Sequence, residues 1–231
     1  MSIHTHHRSR MKARFAKEGL DSFNEHQVLE LLLFYCIPRR DTNVIAHKLI
    51  NRFGSLCGVL DAPVKELVKV DGIGTNAATF ISLLRCVERY YKINAQTKNT
   101  ILNDIDSCGD YILPYFDGKD KETVFLLCLD ANCRVLCCRE LEEGNVNSAN
   151  VSIRKIVDAA LTENATSVVL AHNHPSGVAL PSREDIYTTK KLAHALRFVD
   201  VVLMDHIIVA EDDYVSLVHS GLYRPNEIDD E

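Results

Sequence analysis

The chain has no apolar run close to the ~20 residues that a membrane-spanning helix needs. Its longest early stretch, Leu29 to Ile37, is interrupted by Glu30 and reads as a buried helix, so no membrane contact is expected. No charged, apolar and small-residue leader precedes that stretch, and the expected location is the cytoplasm. No CxxC pair exists among the eight cysteines, Cys36, Cys57, Cys86, Cys108, Cys128, Cys133, Cys137 and Cys138. Scattered thiols without an export signal read as reduced, small apolar side chains and not as a disulfide framework. Zinc held by Cys133 and Cys137 is disfavoured, because structural zinc sites use paired knuckles and four ligands. Excess positive charge is also missing. The 26 Lys+Arg against 32 Asp+Glu give a net charge of −6, which excludes a chain that binds nucleic acid by bulk electrostatics. Internal repeats and low-complexity segments are absent.

What is present is an ordinary globular composition. The 231 residues, 46% apolar and 25% charged, suit one or two domains with a real core. Basic residues cluster at the start (Arg8, Arg10, Lys12, Arg14, Lys17), and acidic ones at the end (Glu227, Asp229, Asp230, Glu231). Residues 1–20 therefore read as a basic flexible arm and 224–231 as an acidic tail. Residues 21–92 read as helical. Apolar periodicity covers Glu25 to Tyr35 and Asn43 to Phe53, with Gly54 as a C-terminal cap, then a short helix to Leu67 and a longer one from about Asn76 to Tyr91. The polar stretch from Lys92 to Thr100 reads as a linker. From Ile101 the texture changes. Thr123–Leu129 and Arg134–Leu141 read as a hairpin, Ser152–Leu161 as a helix, and Ser167–Ala171 as a buried strand. Arg183–Arg197 reads as a further helix, and Val201–Ala210 and Tyr214–Val218 as strands. The expected fold class is α+β (mixed α/β): an all-α domain over 21–92, then a domain over 101–223 with a mixed sheet and flanking helices.

One segment carries chemistry. The run Ala171-His172-Asn173-His174-Pro175-Ser176-Gly177, followed by Ser182 and Asp185, has the order His-x-His-x7-Ser-x2-Asp. Side chains alternate along an extended chain, so His172 and His174 point the same way and can converge on one ion. Pro175 keeps His174 extended, Ser176-Gly177 permits a turn, and Asp185 would add a third ligand from the next helix. Two imidazoles and a carboxylate leave a fourth tetrahedral position for water, the layout of a catalytic zinc site. Ser182-x-x-Asp185 also fits a helix capping box.

These residues match the motif of the JAMM (MPN) metalloprotease family without a gap. The longer strings His172-Asn-His-Pro-Ser-Gly177, Pro181-Ser-Arg-Glu-Asp185 and Asp205-His-Ile-Ile208 resemble its RadC branch over roughly residues 105–222. The helical first part is similar to the helix-hairpin-helix module that precedes the JAMM domain in RadC-like proteins. The resemblance implies a cytidine-deaminase-like, deubiquitinase-like fold. It also implies one Zn2+ per chain on His172, His174 and Asp185, and a peptide or protein substrate. It further implies a glutamate that takes a proton from a water whose pKa zinc lowers from about 15.7 toward about 7. The candidates are Glu140, Glu142 and Glu143. Glu140 is the one carried over, and Glu142 is expected on the same strand face. Ser182 would donate to the developing oxyanion. Asp205 or His206 would support the histidines from behind.

Two other readings remain. Leu67-x-x-Val70-x-Gly72-Ile73-Gly74 suits a tight turn whose backbone N–H groups could hold a DNA phosphate without reading sequence. The chain would then be a DNA-binding protein carrying a JAMM scaffold of little turnover. A nuclease is the third reading, and the lack of a second, carboxylate-rich metal set counts against it.

Overall fold

Apolar residues spaced three and four apart fold the first part of the chain into helices: α1 Ile3–Glu18, α2 Glu25–Cys36, α3 Thr42–Phe53, α4 Leu56–Asp61, α5 Val64–Leu67 and α6 Thr75–Ala95. The computed structural model describes residues 3–95, 100–143, 152–211 and 213–225. Two units emerge, Met1–Tyr90 and Tyr91–Glu231. The linker expected over 92–100 and the acidic tail over 224–231 fall partly outside the described residues, at 96–99 and 226–231.

In the first unit Leu29, Leu33, Leu49, Leu67 and Ile81 are fully buried and form one core with Ile45, Val59 and Val70. Each such side chain contributes roughly 1.5–3 kcal/mol by leaving water. Helix ends are closed locally. Asp41 accepts from Asn43 N (3.0 Å) at the start of α3, and Gly54, at φ 86°, ends it.

The expected flexible arm is instead mostly helix. Met11 of α1 is buried against Leu31 and Phe34 of α2. Arg8 Nη2 donates to the carbonyls of Ile37 (2.8 Å) and Arg40 (2.7 Å), and His7 Nε2 lies 2.9 Å from Oε1 of the buried Glu30. A basic composition suggests a solvated end. These partners, 23 to 32 residues away in sequence, are what composition cannot show.

Gly72 has a packing reason to be glycine. Its φ is +100°, and a Cβ there would meet Ile45 Cδ1 at 2.8 Å. We expect Gly72→Ala to cost about 2 kcal/mol, from positive-φ strain and overpacking, read as a lowered urea midpoint at unchanged slope. An unchanged midpoint would return the glycine to the DNA-contact reading. Beside it, Asp71 Oδ2 accepts from Lys48 Nζ (2.7 Å), which places an acid on that turn.

The second unit holds α7 Ile105–Ile112 and a 3-10 turn Leu113–Phe116, then β1 Thr123–Leu129, β2 Val135–Glu143, α8 Ile153–Thr162, β3 Ser167–Asn173, α9 Arg183–Arg197, β4 Val202–Ala210 and β5 Asp213–Ser216. The sheet order is β2-β1-β3-β4-β5. Among the described residues only the β3–β4 pair is parallel, joined through α9. Every residue of β1 and β3 is buried, because both faces are covered. One face (Val124, Leu126, Val168, Leu170, Ile208) packs on Ile156 and Ala160 of α8 and Leu192 and Leu196 of α9. The other (Phe125, Leu127, Val169, Ile207, Val209) packs on Cys108 and Ile112 of α7 and on Phe116.

Three bulges interrupt the ladders, one of them at Leu136 of β2, and the other two set the phase of the strands near the histidines. In β4 the pairing shifts from Val168↔Leu203 to Val169↔Asp205, leaving Met204 as the extra residue. In β2 it shifts from Phe125↔Glu140 to Val124↔Glu142, leaving Leu141. Each bulge moves the residues beyond it to the opposite face. Among the described residues no helix is long and apolar enough to cross a membrane.

Candidate metal centre

The end of β3 delivers both histidines. His172 stands in register with Val124 of β1 and Ile208 of β4, so it continues the α9-facing row above Leu170. His174 follows, its N–H donating to Val209 O (2.8 Å). Gly177, at φ 80°, turns the chain, and Val178 O comes back to His174 Nδ1 at 3.1 Å. Asp185 rises from the first turn of α9. The two Nε2 atoms are 3.0 Å apart. Asp185 Oδ1 is 3.3 Å from His172 Nε2, and Oδ2 is 3.7 Å from His174 Nε2. This is the one His/Cys/Asp/Glu group of metal-binding geometry among the described residues, and its ligand atoms lie within 4.8 Å of one another. His172 and Asp185 are buried, whereas His174 is partly exposed, so the group opens on one side.

The donor chemistry fits a divalent ion. Val178 O can only accept, so His174 carries its hydrogen on Nδ1 and presents a bare Nε2. Burial pushes the His172 pKa down to about 4, although Asp185 pulls it up, so the ring is a neutral ligand at pH 7. Electron pairs from nitrogen and carboxylate oxygen at these separations repel unless a cation sits between them. Nitrogen and oxygen donors of this type suit zinc.

The Ser182 hydroxyl, expected to donate to an oxyanion, is engaged with Asp185. It caps α9: Oγ accepts from Asp185 N (3.1 Å) and gives its proton to Asp185 Oδ2 (2.6 Å), which also accepts from Ser182 N (2.7 Å). A hydroxyl has one proton, and this one holds the carboxylate in place. Of the two supports expected behind the histidines, His206 is the one that serves, its Nε2 2.9 Å from His172 Nδ1. The Met204 bulge is what turns His206 to this face. Asp205 points the other way, to Ser216 Oγ (2.5 Å).

Glu140 is not brought to the group. Its carboxylate pairs with Lys119 Nζ (2.9 Å), and its backbone lies opposite Phe125, in a row of the α7 side. The Leu141 bulge also separates Glu140 from Glu142 in the backbone pairing, Glu140 standing opposite Phe125 and Glu142 opposite Val124. The side chains of Glu142 and Glu143 lie outside the described residues.

A carboxylate that does feel the group is Glu122. The β1–β3 ladder ends at Val124↔His172, and Glu122 lies two residues before it, just ahead of β1, as His174 lies just after β3. Asn173 joins these two ends. Its Oδ1 accepts from Thr123 N (2.7 Å), and its Nδ2 donates to Lys121 O (3.1 Å) and Lys119 O (3.3 Å). Desolvation raises the Glu122 pKa, His174 lowers it, and Asp185 raises it, so its carboxyl feels both ligands. Sequence reasoning passed over Glu122. Extending the strand alternation back from Thr123 would have found it once β1 was known to pair with β3.

Comparison with known proteins accords with this layout. A profile described as the RadC-like JAB domain matches residues 102–222. A UPF0758 protein of Fusobacterium nucleatum subsp. nucleatum is 36% identical over 223 residues, 94% of this chain and 96% of the relative. With its helical first unit, its mixed sheet and the His-x-His…Asp group at the end of β3, the chain belongs to the RadC-like JAB-domain family.

Proposed function

We propose that the chain is a zinc-dependent hydrolase that cuts a peptide or isopeptide bond. The observation that carries this is the convergence of His172, His174 and Asp185, together with a partly desolvated carboxyl, Glu122, on which both His174 and Asp185 act. His172, His174 and Asp185 would hold the ion, and Ser182 would keep Asp185 oriented. A zinc ion there supplies the Lewis acidity that makes a water nucleophilic near neutral pH and polarises a carbonyl. Glu122 acts on the protons. Its raised pKa makes it a stronger base than an exposed carboxylate, able to take a proton from the attacking water and return it to the leaving amine. His174, the more exposed ligand, borders the side from which a substrate carbonyl enters.

Glu122 is preferred to Glu142 on distance. Adjacent strands lie about 4.8 Å apart, so Glu122 on β1's approach is one strand from His174, while Glu142 on β2 is two strands from His172. The expected result is that Glu122→Gln lowers cleavage of a peptide library by roughly 10²–10⁴-fold with zinc content unchanged, and that Glu142→Gln and Glu140→Gln stay active. Metal analysis paired with the same assay checks this. Full activity in Glu122→Gln would remove the assignment of the base, and zinc-free wild-type protein would remove the hydrolase.

A further inference from the structure

Behind His172, on the side away from the opening, stands a file of hydrogen bonds. His172 Nδ1 lies 2.9 Å from His206 Nε2, and His206 Nδ1 lies 2.6 Å from Thr189 Oγ1. Thr189 Oγ1 lies 2.6 Å from the backbone oxygen of Asp185, one turn earlier on α9. His172, His206 and Thr189 are all at most 2% exposed, so solvent does not compete for these bonds.

The polarity of such a file is decided at whichever end allows one arrangement only. A carbonyl oxygen cannot donate, so the Thr189 hydroxyl gives its proton to Asp185 O. Its oxygen is then an acceptor toward His206, whose Nδ1 must carry a hydrogen. A neutral imidazole has one N–H, so His206 Nε2 is a lone pair and accepts from His172 Nδ1–H. The same count leaves His172 Nε2 bare, and that is the atom facing His174 and Asp185. The reversed file has the opposite consequence. Thr189 would donate to His206, His206 would donate to His172, and His172 would present Nε2–H to the ligand group, where it could hold no metal. Asp185 O would also lose its bond from the Thr189 hydroxyl.

We infer that Thr189 is a positioning residue that sets the tautomer of His172 through His206, so that α9 supplies both a ligand and, one turn later, the hydroxyl that keeps a second ligand in its binding form. The inference rests on the metal centre of the preceding reading. Thr189→Val keeps the shape and removes the hydroxyl, a change that is not conservative where the hydroxyl is bonded. Thr189→Ser keeps the hydroxyl and removes a methyl.

Two measurements test it on the full chain. Zinc affinity by chelator competition is expected to fall about 10–100-fold in Thr189→Val and to stay at the wild-type value in Thr189→Ser. Imidazole ¹⁵N spectra of the metal-free protein are expected to show Nδ1–H on both His172 and His206 in the wild type and in Thr189→Ser. In Thr189→Val, His206 should shift to Nε2–H. Wild-type affinity with wild-type tautomers in Thr189→Val overturns the inference, and so does a Thr189→Ser protein as impaired as Thr189→Val. Neither measurement reads hydrolysis. An active Glu122→Gln protein would overturn the proposed reaction and leave this result standing, and if the wild type bound no zinc, the metal-free spectra would still decide on Thr189.

Discussion

Lowering the pH from 7 to 4 in the presence of a chelator is expected to cost the second unit about 3 kcal/mol through His172 alone. Burial holds the His172 pKa at about 4, against 6.5 for a free ring. The folded chain therefore refuses a proton that the unfolded chain accepts. Stability from this source is complete above pH 6.5, declines as the pH falls toward 4, and changes little below that. His206 adds in the same direction, since burial first and His172 second keep its pKa well below the ordinary value. Glu122 works weakly against them. Its raised pKa means that the folded state binds its proton more tightly, so acid favours the fold at this partly exposed group, and it does so too at the buried Asp205, whose pKa burial also raises. Bound metal steepens the loss, because protons and metal compete for the same imidazole nitrogens. Urea unfolding of the metal-free protein at pH 7, 5 and 4, beside His172→Gln, measures the contribution. If the wild type and His172→Gln lose stability in parallel, the neutral buried imidazole is refuted.

The parts of the site that were legible in the sequence are those set by short-range geometry. His172 and His174 share a face because any extended segment alternates, and Asp185 returns because one turn and one helical turn suffice to bring it back. The strands β1 and β3 were legible because both of their faces are buried, which writes continuous apolar runs. What escaped depends on pairing between distant segments. Glu140 and Glu142 look like alternate residues of one regular strand until Leu141, an apolar residue like any other in a strand, proves to be a bulge in the pairing. The same blindness hid the choice between Asp205 and His206, which Met204 decides. Glu122 gains its place only through the ladder to a segment 50 residues away. Ser182 was ambiguous in the sequence because a capping box and a proton donor to substrate need the same residue. The fold answers by spending the one proton on Asp185. Helices α1 and α7 were missed for a related reason: Arg8 of α1 finds its acceptors on Ile37 and Arg40, and Gly109 of α7 is glycine because the Tyr214 ring would lie 2.1 Å from a Cβ there.

Asp205→Ala is expected to destabilise the second unit by about 3–5 kcal/mol, a large share of the 5–15 kcal/mol that holds a typical domain. The carboxylate is buried between β4 and β5, where it gathers three donors. Oδ1 accepts from His206 N (2.7 Å) and Val218 N (3.1 Å), and Oδ2 accepts from Ser216 Oγ (2.5 Å). Alanine leaves all three without an acceptor in a place water does not reach, and each such loss costs roughly 1–3 kcal/mol before relaxation. The charge itself is not what the fold needs. Burial raises the Asp205 pKa in spite of these three bonds, so desolvation outweighs them and the ionised form is held at a cost. A neutral isostere tests that distinction. Asparagine keeps Oδ1 for the two backbone donors and offers Nδ2 to Ser216 Oγ, which already accepts from His219 N (2.9 Å) and would be left with an idle hydroxyl proton. Asp205→Asn should therefore cost only about 1 kcal/mol. Because His206 follows directly, the alanine variant should also loosen the support of His172, lowering zinc affinity as well as the unfolding midpoint, whereas the asparagine variant should keep both near wild type. Equal losses for the two variants would mean that the negative charge matters in its own right, and that burial is not the dominant influence on this carboxyl.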